Sequence, residues 1–311
     1  MPASPGPGRP ADADILAFLD ATAAPGAGGH RIRLLPQDKA TISDATLKCL
    51  VTGPDGAPGM LLVSGPGNPD LIARAVRNID AVRARLPEPL AQTVLAPLHS
   101  GEIGGLSCAL WFRHLPFLAE NRIAQRWRAL RYRSRLLGWA RDLCAASLSE
   151  PEGAEARRQG FAVPLARVAA DTAFPDTMRK RAETGLQRLE TGAWRPRHCI
   201  QHGDLWCGNF LLPRPGTPMV PLYVIDWAGA RITGYPVIDS ARLGLSLRCP
   251  PRRMAVHLRD LAAVLGCSGD DLISSALCAI GDLGANLEHF PEARYRQMAR
   301  QVAGYLEQTV A

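Results

Sequence analysis

Lysine is nearly absent from this chain of 311 residues. Of 36 basic side chains only Lys39, Lys48 and Lys180 are lysine and the rest are arginine, against 29 acids. The formal net charge of +7 therefore rests almost wholly on guanidinium groups. Such a bias follows genomic base composition as readily as function, so nucleic-acid binding is not read from it, while a strongly cationic substrate is disfavoured by it. No apolar run reaches the roughly 20 residues of a membrane helix, no charged-then-apolar leader opens the chain, and no internal repeat is visible. The eight cysteines are spread singly and mostly inside apolar segments, which fits buried free thiols in a reducing cytosol better than a disulfide framework. A bacterial cytoplasmic protein is the expectation. What is present, 47% hydrophobic and 21% charged residues, is ordinary for a globular chain long enough for two lobes.

The informative stretch is His202-Gly203-Asp204-Leu205-Trp206-Cys207-Gly208-Asn209, with Ile225-Asp226-Trp227 downstream. It supplies a carboxylate, an amide five residues on, and a second carboxylate at the end of an apolar run. Those groups suit phosphoryl transfer. The catalytic loop of a protein kinase reads H-R-D-x-x-x-x-N, and its metal-binding Asp follows on a short strand. On that spacing Asp204 orients and deprotonates an acceptor hydroxyl, His202 shapes the loop, and Asn209 and Asp226 hold Mg²⁺ against nucleotide phosphates. Magnesium keeps several waters, so two protein oxygen ligands suffice. A zinc site built from His198, Cys199, His202 and Cys207 fails on spacing.

H-G-D-x-x-x-x-N followed by I-D-W resembles the aminoglycoside phosphotransferase and choline kinase group, and H-G-D-L-W-x-G-N also resembles fructosamine kinases. The resemblance is sharp over residues 199–243. It implies an α+β, bilobal, protein-kinase-like fold. A small antiparallel-sheet N-lobe with one helix would occupy residues 12–114, and a larger, mostly helical C-lobe with the acceptor site would occupy 115–311. Residues 1–11 read as a disordered tail, rich in proline and glycine. The implied cofactors are ATP or GTP and Mg²⁺. In the group, the aspartate matching Asp239 in Gly234-Tyr235-Pro236-Val237-Ile238-Asp239 braces the catalytic loop; from position alone Asp239 reads as the N-cap of a helix over 240–247.

Taken in order, the pattern predicts a helix over 14–23 and strands over 30–35, 46–52 and 59–64. The last two strands are joined by the turn Gly53-Pro54-Asp55-Gly56. A helix capped by Asn68 or Asp70 follows from Leu71 to just before Pro87, then strands over 92–97 and 106–113. The kinase group would place a lysine on the third strand, paired to a glutamate on the next helix. This chain has Leu62-Val63-Ser64-Gly65 there, no glutamate on the helix, and no G-x-G-x-x-G. Lys48 on the second strand and Lys39 in the 37–45 loop are the candidates to reach the phosphates instead; the plain reading of either is a surface lysine. Phe112, Arg113 and His114 form the stretch whose backbone would read the base.

Residues 117–147 read as a long helix carrying Arg122, Arg126, Arg128, Arg131, Arg133, Arg135 and Arg141. Ile123, Trp127, Leu130, Leu137 and Ala140 share one face, which suggests core. The arginines are either a solvated face or a docking surface for an anionic acceptor. A polar link over 149–160, a helix over 177–190 and a strand over 198–201 lead to the loop. Helices over 254–265, 270–280 and 291–309 close the chain, with Asp282, Glu288 and His289 as candidate acceptor contacts. The leading expectation is a Mg²⁺- and ATP-dependent small-molecule kinase acting on a hydroxyl. The alternatives are a catalytically impaired kinase-fold binding or regulatory protein and a polyanion-binding module. The sequence names neither the acceptor nor an oligomeric state.

Overall fold

The computed structural model describes residues 10–22, 29–35, 46–215, 220–287 and 290–310. The tail before residue 10, the 37–45 loop with Lys39, and Glu288 and His289 lie outside the described residues. In chain order the elements are α1 (Asp12–Thr22), β1 (Arg31–Leu34), β2 (Leu47–Thr52), β3 (Pro58–Val63), α2 (Leu71–Arg83), α3 (Glu88–Ala91), β4 (His99–Ile103), β5 (Leu106–Phe112), β6 (Leu115–Pro116) and α4 (Arg122–Ala146). There follow α5 (Gly153–Arg157), α6 (Val163–Ala170), α7 (Asp176–Glu190), β7 (Cys199–Gln201), β8 (Phe210–Leu212), β9 (Tyr223–Val224), β10 (Arg231–Gly234), α8 (Pro236–Ser246), α9 (Pro251–Leu265), α10 (Gly269–Leu283) and α11 (Glu292–Val310). The chain divides into two compact units, one of residues 1–84, 92–115 and 211–228, the other of 85–91, 116–210 and 229–311.

The first unit is built on a five-stranded antiparallel sheet in the order β1-β2-β3-β5-β4. Alternation along β2 and β3 sends Leu47, Cys49, Val51, Leu61 and Val63 to one face, where Ile15 and Leu19 of α1 complete the core. Lys48 faces the other way, directly across from Leu62. Helix α2 begins at Asp70, whose side chain makes no cap. The cap comes from the sheet: Ser64 Oγ accepts the Ile72 N–H (3.0 Å) and Ser107 Oγ the Ala73 N–H (3.1 Å), the two hydroxyls lying 2.7 Å apart. Buried hydroxyls here satisfy helix N–H groups that water cannot reach.

The expected strand over 92–97 is not one. Val94 is buried but makes only an isolated bridge to Val224, and Pro97 has no N–H to extend a ladder. The strand is β4, a more polar segment joined to β5 through Gly104 and Gly105, both at positive φ, the conformation a two-residue hairpin turn requires.

The second unit packs α6, α7, α8, α9 and α11 around α10, which is buried at every position from Asp271 to Gly281, its polar Asp271, Ser274 and Ser275 included, while α4 lies against α8 and α9. At its start Ser268 and Asp271 form a reciprocal capping box, and Arg188 of α7 grips the Asp271 carboxylate. The stretch read as a polar link over 149–160 instead holds α5 and a π-helical turn at Arg158–Ala162, whose Phe161 is fully buried.

Helix α4 corrects a second expectation. Its later turns are core at Leu136, Leu137, Trp139, Ala140 and Leu143, but Ile123, Trp127 and Leu130 are 74%, 69% and 52% exposed. Periodicity had aligned them on the core face; in the structure the first two turns have no described element over them. All eight cysteines are free thiols, seven of them buried. No single helix among the described residues is long and apolar enough to cross a membrane.

Candidate active site

In the second unit β7 ends at Gln201 and the chain turns sharply through His202-Gly203-Asp204. Gly203 sits at φ 84, and a Cβ there would lie 2.5 Å from the Gly229 carbonyl oxygen, so only glycine fits. The turn hangs on Asp239. The His202 and Gly203 N–H groups donate to its Oδ2 (2.6 Å) and Oδ1 (3.2 Å). Asp239 is in the first turn of α8, whose N-cap position is held by Tyr235. The N-cap reading is therefore overturned, because its carboxylate serves the neighbouring loop and not its own helix. Burial pushes the Asp239 carboxyl up to about 6, while the His202 N–H, the Arg242 guanidinium and the Gly203 N–H pull the other way.

His202 is fully buried, and its Nδ1 accepts the Asp204 N–H at 3.3 Å. Asp204 itself is half-exposed and paired with Arg242. Arg242 donates from Nη2 to Asp204 Oδ1 and from Nη1 to the Gly203 carbonyl (2.7 Å). One guanidinium thus fixes both the backbone and the side chain of the loop, and among the described residues the other carboxylate oxygen has no protein partner. Asn209, buried at the end of a 3₁₀ turn, donates from Nδ2 to the Asp204 carbonyl (2.9 Å). Its amide oxygen is left as an acceptor. Cys207 N–H donates to Ser246 Oγ of α8 at 3.0 Å, securing the middle of the loop.

In the first unit Asp226 follows β9 and is exposed, in the left-handed region at φ 69. Aspartate tolerates this better than most residues, yet it is the kind of strain that collects at functional sites. The turn after it is pinned: Asn78 of α2 donates from Nδ2 to the Trp227 (2.9 Å) and Ala228 (3.2 Å) carbonyls, and the buried Trp227 indole N–H donates to Val224 O. An amide on α2 thus supports the segment carrying Asp226.

Lys48 is exposed on β2. Its register opposite Leu62 puts it on the sheet face of the first residue of the Leu62-Val63-Ser64-Gly65 stretch where a third-strand lysine was expected, and cross-strand partners bring their Cβ atoms within about 5.5 Å. At the end of β5 the Arg113 N–H is spent on Pro58 O (2.9 Å), and its carbonyl accepts Arg214 Nε (2.7 Å). Arg113 is therefore not a free donor for a base, contrary to expectation. His114 is buried and stacked on Tyr223 at 4.0 Å. Burial, reinforced by Arg214, pulls it down to about 4 and keeps it neutral. Phe112 closes β5 with its ring 5.1 Å from that of His114.

Asn209 in the second unit carries an amide oxygen and Asp226 in the first a carboxylate, each a hard donor of the type Mg²⁺ accepts. Among the described residues no group of three or more His, Cys, Asp or Glu could hold a metal. The zinc reading stays excluded: His198 packs against the Phe161 ring and bonds Gly234 O, His202 Nδ1 accepts the Asp204 N–H, and the Cys207 thiol donates to the Ser246 carbonyl of α8 (3.7 Å). Asp282 pairs with Arg231. Arg242 and Asn78 were not foreseen. An arginine three residues after Asp239 on the same helix was the available signal for Arg242, and no local pattern marked Asn78.

No protein-family model matches the chain, and no curated protein does. Solved structures do. A macrolide 2′-phosphotransferase from Brachybacterium faecium, crystallised as the apoenzyme, is 19% identical with TM-score 0.53, over 94% of this chain and 98% of that one. A macrolide 2′-phosphotransferase of type I is 18% identical with TM-score 0.51, over 97% and 98%. A putative fructosamine-3-kinase from Haemophilus somnus is 11% identical with TM-score 0.50, over 96% and 97%. At these identities the likeness establishes the fold, the protein-kinase-like α+β fold expected from the H-G-D-x-x-x-x-N resemblance.

Proposed function

We propose that the protein is an ATP- and Mg²⁺-dependent phosphotransferase acting on a hydroxyl group of a small molecule, in the cytoplasm. The observation that carries this reading is the Asp204 carboxylate, held by Arg242 on a loop whose backbone hangs from the buried Asp239, with Asn209 locked to the same loop. Asp204 accepts the acceptor's proton on its second oxygen as the acceptor oxygen forms its bond to the γ-phosphorus. The bond to the β,γ-bridging oxygen breaks and the nucleoside diphosphate leaves. Asn209 and Asp226 are the residues that would hold the metal, which when bound neutralises charge on the transferring phosphoryl group. Positioning and preorganised charge supply the rate, with little covalent work for the protein. Lys48 takes the part of the absent third-strand lysine, and the backbone near Phe112 and His114 receives the base. On this reading the nucleotide lobe is 12–114 and the acceptor lobe 115–311.

A second reading, a kinase-fold binding protein without turnover, is favoured by one specific feature, the loss together of the third-strand lysine and the α2 glutamate. Thermal unfolding separates the two. Mg²⁺-nucleotide at about 100 times its dissociation constant adds about 2.7 kcal/mol. A magnesium-dependent rise lost in Asp226→Asn, with phosphate transfer to water or an acceptor, supports the first. A rise without any transfer across an acceptor panel supports the second, and no rise with ATP or GTP defeats the first.

A further inference from the structure

Beside the catalytic loop the second unit contains a cavity of about 660 Å³, reaching Cys207 of the loop and lined by Arg122, Arg126, Arg133 and Arg248, with Glu120 its one acid. Among the described residues none of the four arginines forms an ion pair, and Arg133 Nε is fully buried without a hydrogen-bond partner. Four guanidinium groups around one cavity repel one another, and partial burial weakens the screening that would relieve them. Two are placed against local preference. Arg122 and Arg126 occupy the first turns of α4, the positive end of its dipole, with no acid in the first turn.

Arg248 is placed against a stronger preference. Helix α8 ends in a Schellman motif, Arg248 N–H to Leu245 O (3.0 Å) and Cys249 N–H to Gly244 O (2.8 Å), which puts Arg248 at the left-handed position at φ 48. Glycine is the usual residue there because any Cβ is strained. A solvated arginine face would need no such placement; departures from local preference of this kind gather at binding sites. A second recess of about 420 Å³ shares Arg122, Arg126, Leu130 and Arg248 and adds the exposed Ile123 and Trp127. The unexplained apolar face of α4 is thereby part of the same surface.

We infer that this cavity is the acceptor subsite and that the acceptor already carries an anionic group, phosphate or carboxylate, next to an apolar portion that lies on Trp127. The hydroxyl chemistry rests on the phosphotransferase reading; the anion site stands on its own residues. A planar guanidinium pairs with two oxygens of either anion, and the indole face with the flanking aliphatic side chains receives the apolar part.

The test is calorimetric titration of the full chain with three matched probes: phenyl β-glucoside, phenyl β-glucuronide and phenyl β-glucoside 6-phosphate. At least one anionic probe should bind tenfold or more tightly than the neutral one and weaken as salt rises from 50 to 300 mM, and the stronger of the two names the anion. Arg248→Gly should lower that affinity about tenfold while leaving Tm unchanged or higher, because glycine relieves the left-handed strain. Arg126→Ala should lower it without that gain. Equal affinity for neutral and anionic probes, no binding of either anionic probe at 10 mM, or anionic affinity untouched by both variants overturns the inference. So does binding to phosphatidylglycerol vesicles that survives Arg248→Gly without any preference among the glycosides, which would make this face a membrane surface. The Mg²⁺-nucleotide melting shift is read in parallel. Anion preference without a nucleotide response sinks the phosphotransferase and leaves the anion site; a nucleotide response without anion preference does the reverse.

Discussion

The Asp204 loop and the arginine cavity are neighbours in the second unit and opposites in how their charges are satisfied. In the loop every charged group has a protein partner: Asp239 takes two N–H groups, Arg242 takes Asp204, and Asn209 closes onto the loop carbonyl. In the cavity four guanidinium groups face a single acid. The first region has its charges paired before any ligand arrives and so can be preorganised for chemistry. The second lacks its counter-charge, and a ligand supplies it. Helix α4 repeats the contrast along its length, its later turns sealed into the core and its first turns open.

The strongest way to break this comparison is through the loop. Asp204→Asn keeps the shape of the side chain and removes the base, so turnover should fall by about 10² to 10⁴ with little change in melting temperature. Unaltered turnover would remove Asp204 from the chemistry. Next in size is Trp139→Ala on the buried half of α4, where the indole meets Phe210 edge-on at 5.8 Å. Urea unfolding should show a loss of about 3 to 5 kcal/mol.

The buried Asp239 comes third. Unfolded, its carboxyl titrates near about 3.9; folded, burial raises it to about 6. Between those values the folded chain holds the extra proton, so the Asp239 contribution to stability declines as pH rises through the window and levels above it, by something on the order of 3 kcal/mol. Asp239→Asn should abolish that slope, seen as a wild-type minus variant difference that shrinks from pH 4 to pH 7. A slope shared by both proteins would place its origin elsewhere. The smallest effect is Trp127→Ala on the open half of α4, which should alter stability by no more than about 0.5 kcal/mol; a loss comparable to that of Trp139→Ala would mean this face is covered in solution.

Much of the fold was legible because its signals were local. The turn chemistry of the β2–β3 hairpin, the helical spacing of α2 and the helices of the C-terminal third all appear where their patterns lie. The strand over 92–97 failed because Val94 and Leu95 are buried without a ladder, whereas β4 is polar and announced only by Gly104-Gly105. Ser64 and Ser107, far apart in sequence, cap α2 jointly, which no cap rule applied near Asp70 could find.

By itself the sequence determined the loop: the spacing of His202, Asp204 and Asn209 is short enough that a single turn brings them together, and Gly203 declares the tight backbone that turn needs. The tertiary structure alone decided what surrounds it. It brought in Arg242 as the partner of Asp204. It set Asn78 behind Asp226, and it left Ile123 and Trp127 outside a core their spacing had assigned them to. Hydrogen-bond geometry within a turn is a property of neighbouring residues, whereas burial and ion pairing depend on which distant segments arrive, and only the folded chain settles that.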